Sequence, residues 1–193
     1  ALEVKDAIDV LAGRTQGDLL EISLLLGSHM LVLAEKAKTL PEARAMLENA
    51  LSSGAGLRKL AEMIAAQGGD PRVVEDLSLL PQAAVKRVMR AETAGYLSAM
   101  DTTALGMAAQ RMGAGRAKKS DMLDYSVGYV LHVRLGDEVT EDTPLATLYA
   151  RNEAEAEEAE KAIRKALTIA RKKPQTPKLW DAVVTAEGII YNR

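Results

Sequence analysis

Apolar residues recur at helical spacing from the first residues of the chain onward. Val4, Ile8 and Leu11 follow an i, i+4, i+7 pattern, which places them on one face of a helix. Gly13 follows this pattern, and glycine is the residue that most often ends a helix. The pattern therefore predicts a helix that begins at residue 1, with no capping residue before it, and ends near Gly13.

A second helix is predicted from Asp18 to about Lys36. Asp18 and Glu21 have the D-x-x-E spacing of a capping box, in which side chains satisfy the free amides of the first turn. Apolar residues then cover nearly the whole circumference of the predicted helix, which favours burial on most sides. Two further helices are predicted up to the glycine pair at 68 and 69, the first of them opened by a capping box at Thr39 and Glu42.

The spacing changes from about residue 82, where apolar and polar residues begin to alternate as in β-strands with one buried face. Strands are predicted within residues 84–92, 95–100, 127–139 and 144–150. A helix predicted from Asp101 through Met112 lies among them. A charged helix at residues 152–170, a basic linker with two prolines at 171–177 and two short strands within 178–193 are predicted to complete the chain.

This order of elements predicts an α+β fold with two domains. Residues 1–81 form its helical segment, and residues 82–193 form a β-rich unit with inserted and flanking helices. Within the second domain, residues 83–150 are predicted to form a barrel-like sandwich, with a helix inserted at residues 101–112.

The composition of the chain argues against several classes of function but does not identify one. The formal net charge is -2, so the total charge does not favour a nucleic-acid or membrane partner. The chain has no cysteine, which excludes disulfides and thiolate metal sites. No apolar run is long enough to span a bilayer and no signal peptide is recognisable, so a cytoplasmic location is expected. The two histidines, His29 and His132, are isolated in sequence and are predicted to be hydrogen-bonded core residues, not metal ligands.

The stretch "MGAGRAKKS", residues 112–120, combines two glycines with Arg116, Lys118 and Lys119. Such a composition is compatible with a phosphate-binding loop, but that kind of site needs amides at the amino terminus of a helix. Here the glycines follow the carboxyl terminus of a predicted helix, and no phosphate-loop motif is present. A helix C-cap with solvated lysines is the simpler interpretation.

A second stretch, "VGYVLHVRLGDEVTEDTPLATLYARN", resembles half of a lipoyl or biotinyl carrier domain. The modified lysine of such carriers is absent after "PLATL", so a carrier-like binding module remains only as an alternative. A helical interaction domain is a further alternative.

Five stretches occur in a common order: "ALEVKDAID", "LGSHMLVLAEKA", "AAQGGDPRVVED", "MGAGRAKKSDMLDYSVGYVLHVRLGDEV" and "PLATLYAR". Together they resemble the carboxyl-terminal part of the pyrimidine-nucleoside phosphorylases, the family that includes thymidine phosphorylase. Residues 178–193 match least. The resemblance implies a homodimeric transferase of nucleoside salvage, which uses phosphate to convert thymidine or uridine into free base and (deoxy)ribose 1-phosphate.

The resemblance also implies what this chain lacks. The family's phosphate-binding motif and its base-binding residues belong upstream of Ala1, so the chain is expected to be a carboxyl-terminal piece that holds no catalytic residue and no cofactor and is inactive by itself. Asp6 occupies the place of a family carboxylate that contributes to a K⁺ site, which would be incomplete here. Gly113, Gly115 and Arg116 occupy the place of a loop near the closing gap between the family's domains, and are therefore expected to form a closure loop.

Overall fold

The computed structural model describes residues 1–192, which divide into two compact units. One unit contains residues 1–2 and 80–176, and the other contains residues 3–79 and 177–192. The first unit is rich in strands, and the second is mainly helical and ends in a β-hairpin. The chain therefore has a mixed α+β fold, as predicted.

Four helices form most of the helical unit: α1 (Leu2–Leu11), α2 (Asp18–Leu33), α3 (Leu40–Ser52) and α4 (Ala55–Ala66). Helix α1 ends before Gly13, which has a φ of 70° in the left-handed region that favours glycine. Thr39 caps α3, because its hydroxyl oxygen accepts the Glu42 amide at 3.3 Å. The sequence-based prediction of a capping box at Thr39 is thereby confirmed in its main contact.

The predicted capping box at Asp18 is wrong. Gly17 is the N-cap residue of α2, with a φ of 116°, and it has no side chain to accept an amide. Asp18 is instead the first residue of the helix, where its negative charge is favourable near the helix amino terminus. Because Gly17 makes the turn, the chain enters α2 one residue earlier than the capping-box pattern implies.

Helix α2 is also less buried than predicted. Its buried positions form a single stripe, Leu20, Leu24 and Ser28. Several large apolar side chains on the same helix are exposed, namely Leu19, Leu26, Met30 and Leu33. Among the described residues, α2 is therefore packed against its neighbours on one side only. The apolar residues around the whole helix had predicted burial on most sides.

The strand-rich unit contains two antiparallel sheets. Its strands are β1 (Val85–Arg90), β2 (Gly95–Met100), β3 (Gly128–Leu131), β4 (Glu138–Val139), β5 (Pro144–Ala150) and β6 (Leu167–Ala170). One sheet has the order β1-β5-β3, and the other has the order β4-β2-β6. The alternating segments are thus strands as predicted, and residues 1–192 form no closed barrel.

Two helices accompany these sheets: α5 (Thr102–Ala109) and α6 (Glu153–Ala166). The sequence predicted a single helix over residues 152–170, but α6 ends at Ala166 and the next four residues are β6. Strand β6 pairs with β2 from Tyr96↔Ala170 to Met100↔Leu167. The β-branched residues Thr168 and Ile169 favour this pairing over a further helical turn.

One core joins the two sheets and both helices. Residues from both sheets are fully buried in it, among them Met89, Leu97, Leu145 and Leu148. Helix α6 contributes Ile163 to this core and buries mainly alanine elsewhere, at positions 156, 159 and 166. The core is built from aliphatic residues and methionine, since the chain has no phenylalanine.

The chain's last two strands, β7 (Ala182–Thr185) and β8 (Gly188–Tyr191), form a separate hairpin in register from Ala182↔Tyr191 to Thr185↔Gly188. They confirm the prediction of two short terminal strands. None of the helices formed by residues 1–192 combines the length and apolar character that crossing a membrane requires.

Candidate functional site at the glycine-basic loop

Helix α5 leads directly into the glycine-basic loop. Asp101 caps its amino terminus, accepting the Ala104 amide on Oδ1 at 2.9 Å. The helix continues into a π turn, Gln110–Ala114, in which Met112 is buried. Met112 packs in a small core with Val127 and Ala150. The start of the loop is therefore fixed to the strand-rich unit through an apolar anchor.

Gly113 changes the direction of the chain at the end of the π turn. Its φ of 102° lies in the region that L-residues with a side chain rarely adopt. Its carbonyl accepts the Asp124 amide at 3.0 Å, which ties the two ends of the loop together. Because the glycine follows a helix carboxyl terminus, as the sequence predicted, it does not form a helix-amino-terminus phosphate cradle.

Gly115 allows a side chain to lie directly against the backbone. A Cβ atom at this position would be 3.2 Å from Gln110 Cα, Cβ and Cγ, tighter than ordinary van der Waals contact. Gln110 Nε2 donates a hydrogen bond to the Arg116 carbonyl at 2.6 Å. The absence of a side chain at residue 115 thus permits the contact between Gln110 and the loop.

Asp121 holds the other side of the loop. Its Oδ2 accepts the amides of Ala117 at 3.1 Å and Lys118 at 2.8 Å. Its own amide donates to the Lys118 carbonyl at 3.0 Å, which closes a turn. The backbone of the basic segment is thereby hydrogen-bonded from the Arg116 carbonyl to the Lys118 carbonyl.

Asp124 anchors the exit from the loop. Its Oδ1 accepts the hydroxyl of Ser126 at 2.6 Å and the Ser126 amide at 2.9 Å. The hydrogen bonds from the Ser126 hydroxyl and amide, with a smaller contribution from the positive charge of Arg151, lower the pKa of Asp124 below its ordinary value. The anchor is therefore fully charged above the ordinary aspartate pKa and weakens only as the pH falls through the lowered one.

The loop presents positive charge to solvent. Arg116, Lys118 and Lys119 are exposed, and within residues 1–192 none of their side chains forms an ion pair. Arg111 lines a neighbouring cavity of about 350 Å³ against α6. That cavity also has Lys161 and Lys165 on its wall, together with the acidic Glu155 and Glu158, and Lys161 is paired with Glu157. The loop is thus the less balanced positive surface of the two.

Asp6 belongs to the helical unit, and its carboxylate is on the exposed side of α1. It borders an apolar groove of about 500 Å³ between α1, α2 and α3. Asp9, on the same helix, is buried and pairs with Lys5 and Arg14, and the hydrogen bond from Lys5 is the main cause of its lowered pKa. Over residues 1–192, no group of three or more His, Asp or Glu side chains could hold a metal ion.

The two histidines are not brought together. His132 Nε2 lies 2.7 Å from Thr147 Oγ1, so the predicted hydrogen bond is present. The His132 side chain is nevertheless exposed, and His29 is half-buried on α2. The prediction that both are core residues is therefore wrong for His132, because the outer face of its strand segment is open to solvent.

Comparisons with known proteins agree on one family. Residues 96–170 match the model described as the pyrimidine nucleoside phosphorylase C-terminal domain. Pyrimidine-nucleoside phosphorylases of Bacillus subtilis and Geobacillus stearothermophilus are each 48% identical to the chain over 153 residues, which is 79% of it. The enzyme of that name from Staphylococcus aureus is 42% identical over 170 residues, or 88% of the chain.

The chain carries the carboxyl-terminal portion of the pyrimidine-nucleoside phosphorylase family. The family resemblance predicted from the five stretches is thereby confirmed. The chain spans 35% of the length of the Bacillus and Geobacillus phosphorylases and 39% of the Staphylococcus one. The family match does not favour the carrier-like alternative. The matched residues, 96–170, include the whole glycine-basic loop but not Asp6.

Three side chains of the glycine-basic loop were not singled out from the sequence: Gln110, Asp121 and Asp124. Asp124 and Ser126 have the spacing of an Asx turn, a local pattern that sequence reasoning could have used. Gln110 and Asp121 gave no such indication, because their contacts depend on the path of the loop between them. The loop is consequently more ordered by its own side chains than its glycine and lysine content suggests.

Proposed function

We propose that the chain is the carboxyl-terminal part of a pyrimidine-nucleoside phosphorylase, which converts thymidine or uridine and phosphate into free base and (deoxy)ribose 1-phosphate. The observation that carries the proposal is the similarity to named phosphorylases over 79–88% of the chain, together with the matched C-terminal domain. Phosphate-dependent release of thymine or uracil by the chain combined with its upstream part tests it. Base release that did not require phosphate would contradict it.

In this proposal the chain supplies framework and a loop, while the reacting groups come from elsewhere. Residues 1–81 are the helical part of the larger α/β domain, and residues 82–193 are the carboxyl-terminal domain. A barrel-sandwich-like arrangement of residues 83–150 is supported by the single core that both sheets share. The complete enzyme contains an amino-terminal half that carries the phosphate and base sites, and it is a homodimer.

The glycine-basic loop is proposed to act when the two domains of the complete enzyme close over substrate. Its support is the unpaired positive charge of Arg116 on a loop anchored at both ends by Gly113 and Asp124. A fixed cation near an anionic substrate stabilises charge without needing to reorganise. The loop therefore has the chemistry that closure over phosphate requires.

Replacing Arg116 with alanine in the complete enzyme is expected to lower turnover by roughly 10- to 100-fold, the size of effect typical of one lost charged contact. Unfolding stability should change little, since the side chain is exposed and makes no ion pair within residues 1–192. Steady-state kinetics and thermal unfolding of the same preparation measure both quantities. Arg134→Ala is the matched control, because that arginine is also exposed but lies outside the loop. Unchanged turnover in Arg116→Ala would return the loop to a simple helix C-cap.

Asp6 is proposed to contribute one oxygen ligand to a K⁺ site of the complete enzyme. A carboxylate oxygen suits a hard cation, and Asp6 is exposed and therefore accessible to ligands from another segment. Asp6→Ala is expected to raise the K⁺ concentration needed for half-maximal activity by roughly tenfold, as loss of one ligand does. Asp18→Ala, another exposed acid of the helical unit, serves as control. The same K⁺ dependence in Asp6→Ala and the unaltered enzyme would refute the assignment.

A further inference from the structure

Two side chains from outside the basic segment of the loop, Gln110 and Asp121, hold its backbone. Gln110, at the end of α5, donates to the Arg116 carbonyl at 2.6 Å. Asp121, four residues further along than Ala117, accepts the next two amides, those of Ala117 and Lys118. The two peptide groups that follow the Arg116 side chain, 116–117 and 117–118, are thus fixed by side chains that do not themselves belong to the basic segment.

The sequence provides for this arrangement. Gly115 has no side chain, and a Cβ atom there would crowd Gln110 at 3.2 Å, so the contact depends on glycine. The bond from the Asp124 amide to the Gly113 carbonyl and the bond from the Asp121 amide to the Lys118 carbonyl close the loop around these contacts. Four hydrogen-bonding groups from outside the segment therefore converge on residues 113–118.

The backbone is constrained whereas the Arg116 side chain is not. The guanidinium is exposed and is unpaired within the described part of the chain. A cation whose backbone is already fixed loses less conformational entropy when it engages an anion than one on a mobile loop. A functional side chain on a loop needs supporting contacts of this kind to hold its geometry.

We propose that Gln110 and Asp121 are positioning residues that fix the backbone around Arg116 before an anionic substrate group arrives. The inference rests on the proposed function of the loop. It goes beyond that function because it assigns a positioning role to two residues that touch no substrate. A merely structural turn would also use these bonds, so the test needs a readout that links Asp121 to Arg116.

The first arm measures loop order in the 193-residue chain by limited trypsin digestion, with cleavage after Arg116, Lys118 and Lys119 followed by mass spectrometry. Asp121→Ala is expected to speed cleavage at these bonds by roughly 5- to 20-fold, because local opening controls proteolysis. Asp121→Asn keeps one acceptor oxygen and should remain close to the unaltered chain. Asp137→Ala is the matched control, since Asp137 makes a similar bond to the Arg134 amide at 2.7 Å outside the loop. Equal cleavage rates in Asp121→Ala and the unaltered chain would overturn the proposal whatever the enzyme's reaction.

The second arm measures coupling in the complete enzyme with a double-mutant cycle. Asp121→Ala and Gln110→Ala are each expected to lower kcat/KM by roughly 5- to 10-fold, and to have almost no further effect when Arg116 is already alanine. Full additivity would mean that Asp121 and Gln110 do not act through Arg116, and it would overturn the inference. Absence of phosphorolysis in the unaltered complete enzyme would instead overturn the proposed function, while the trypsin arm would still decide whether Asp121 orders the loop.

Discussion

The 193-residue chain alone is expected to release no base from thymidine or uridine in the presence of phosphate. Phosphorolysis needs the phosphate, the sugar and the base to be held together, and most of the rate gain comes from positioning and fixed charge. In the proposed function the residues that bind the phosphate and the base lie outside the 193-residue chain, and over residues 1–192 no group of three or more His, Asp or Glu side chains could hold a metal ion. The expected rate is therefore the uncatalysed one.

Mixing the chain with the separately produced upstream part is expected to restore phosphate-dependent base release, measured by chromatography of thymine or uracil. The exposed apolar residues of α2 and the groove beside α1 provide surface through which a second polypeptide can associate. The upstream part alone and the mixture without phosphate are the two controls. Turnover by the 193-residue chain on its own would show that it contains a complete catalytic site.

Replacing Met89 with alanine is expected to destabilise the strand-rich unit by about 2–5 kcal/mol, the cost of truncating a buried methionine and leaving a cavity. Met89 on β1 is 0% exposed and belongs to the core that joins both sheets. Because whole domains are stable by about 5–15 kcal/mol, this loss is a large fraction of the total. Urea unfolding followed by circular dichroism, with hydrogen exchange of the β1 and β5 amides, measures it.

Met107→Ala is the matched control, since Met107 has the same side chain in the same unit but is 43% exposed on α5. Its expected change is below about 1 kcal/mol, as for other surface substitutions. Similar losses for the two variants would mean that the shared core around Met89 does not carry the stability of this unit.

The sequence predicted the strands well, because alternation between buried and exposed positions belongs to each strand alone. Strand β1 shows this, because exposed positions such as Val88 and Arg90 alternate with more buried ones such as Met89 along Val85–Arg90. The boundary between α6 and β6 was missed, because leucine, isoleucine and alanine at residues 167–170 also continue the helical spacing. The pairing with β2 decided the conformation, and pairing depends on a distant segment.

Burial and loop contacts were predicted less well for a related reason. The apolar circumference of α2 indicated full burial, yet the degree of burial depends on what packs against the helix, which its own sequence does not specify. The candidate loop was located from Gly113, Gly115 and Arg116, but the hydrogen bonds of Gln110 and Asp121 depend on its path in space. Local chemistry located the loop, and three-dimensional contacts revealed how it is ordered.

Alanine occupies most of the buried side of α6, and this limits the substitutions that the domain can accept during evolution. Three of the helix's four buried positions carry a single methyl group, so the helix backbone lies close to its neighbours. A larger residue at 156, 159 or 166 would need the helix to move away, and small-to-large changes in packed cores cost about 1–3 kcal/mol. Neutral drift in α6 is therefore expected mainly on its charged outer surface, while positions 156, 159 and 166 tolerate little beyond alanine, glycine and serine.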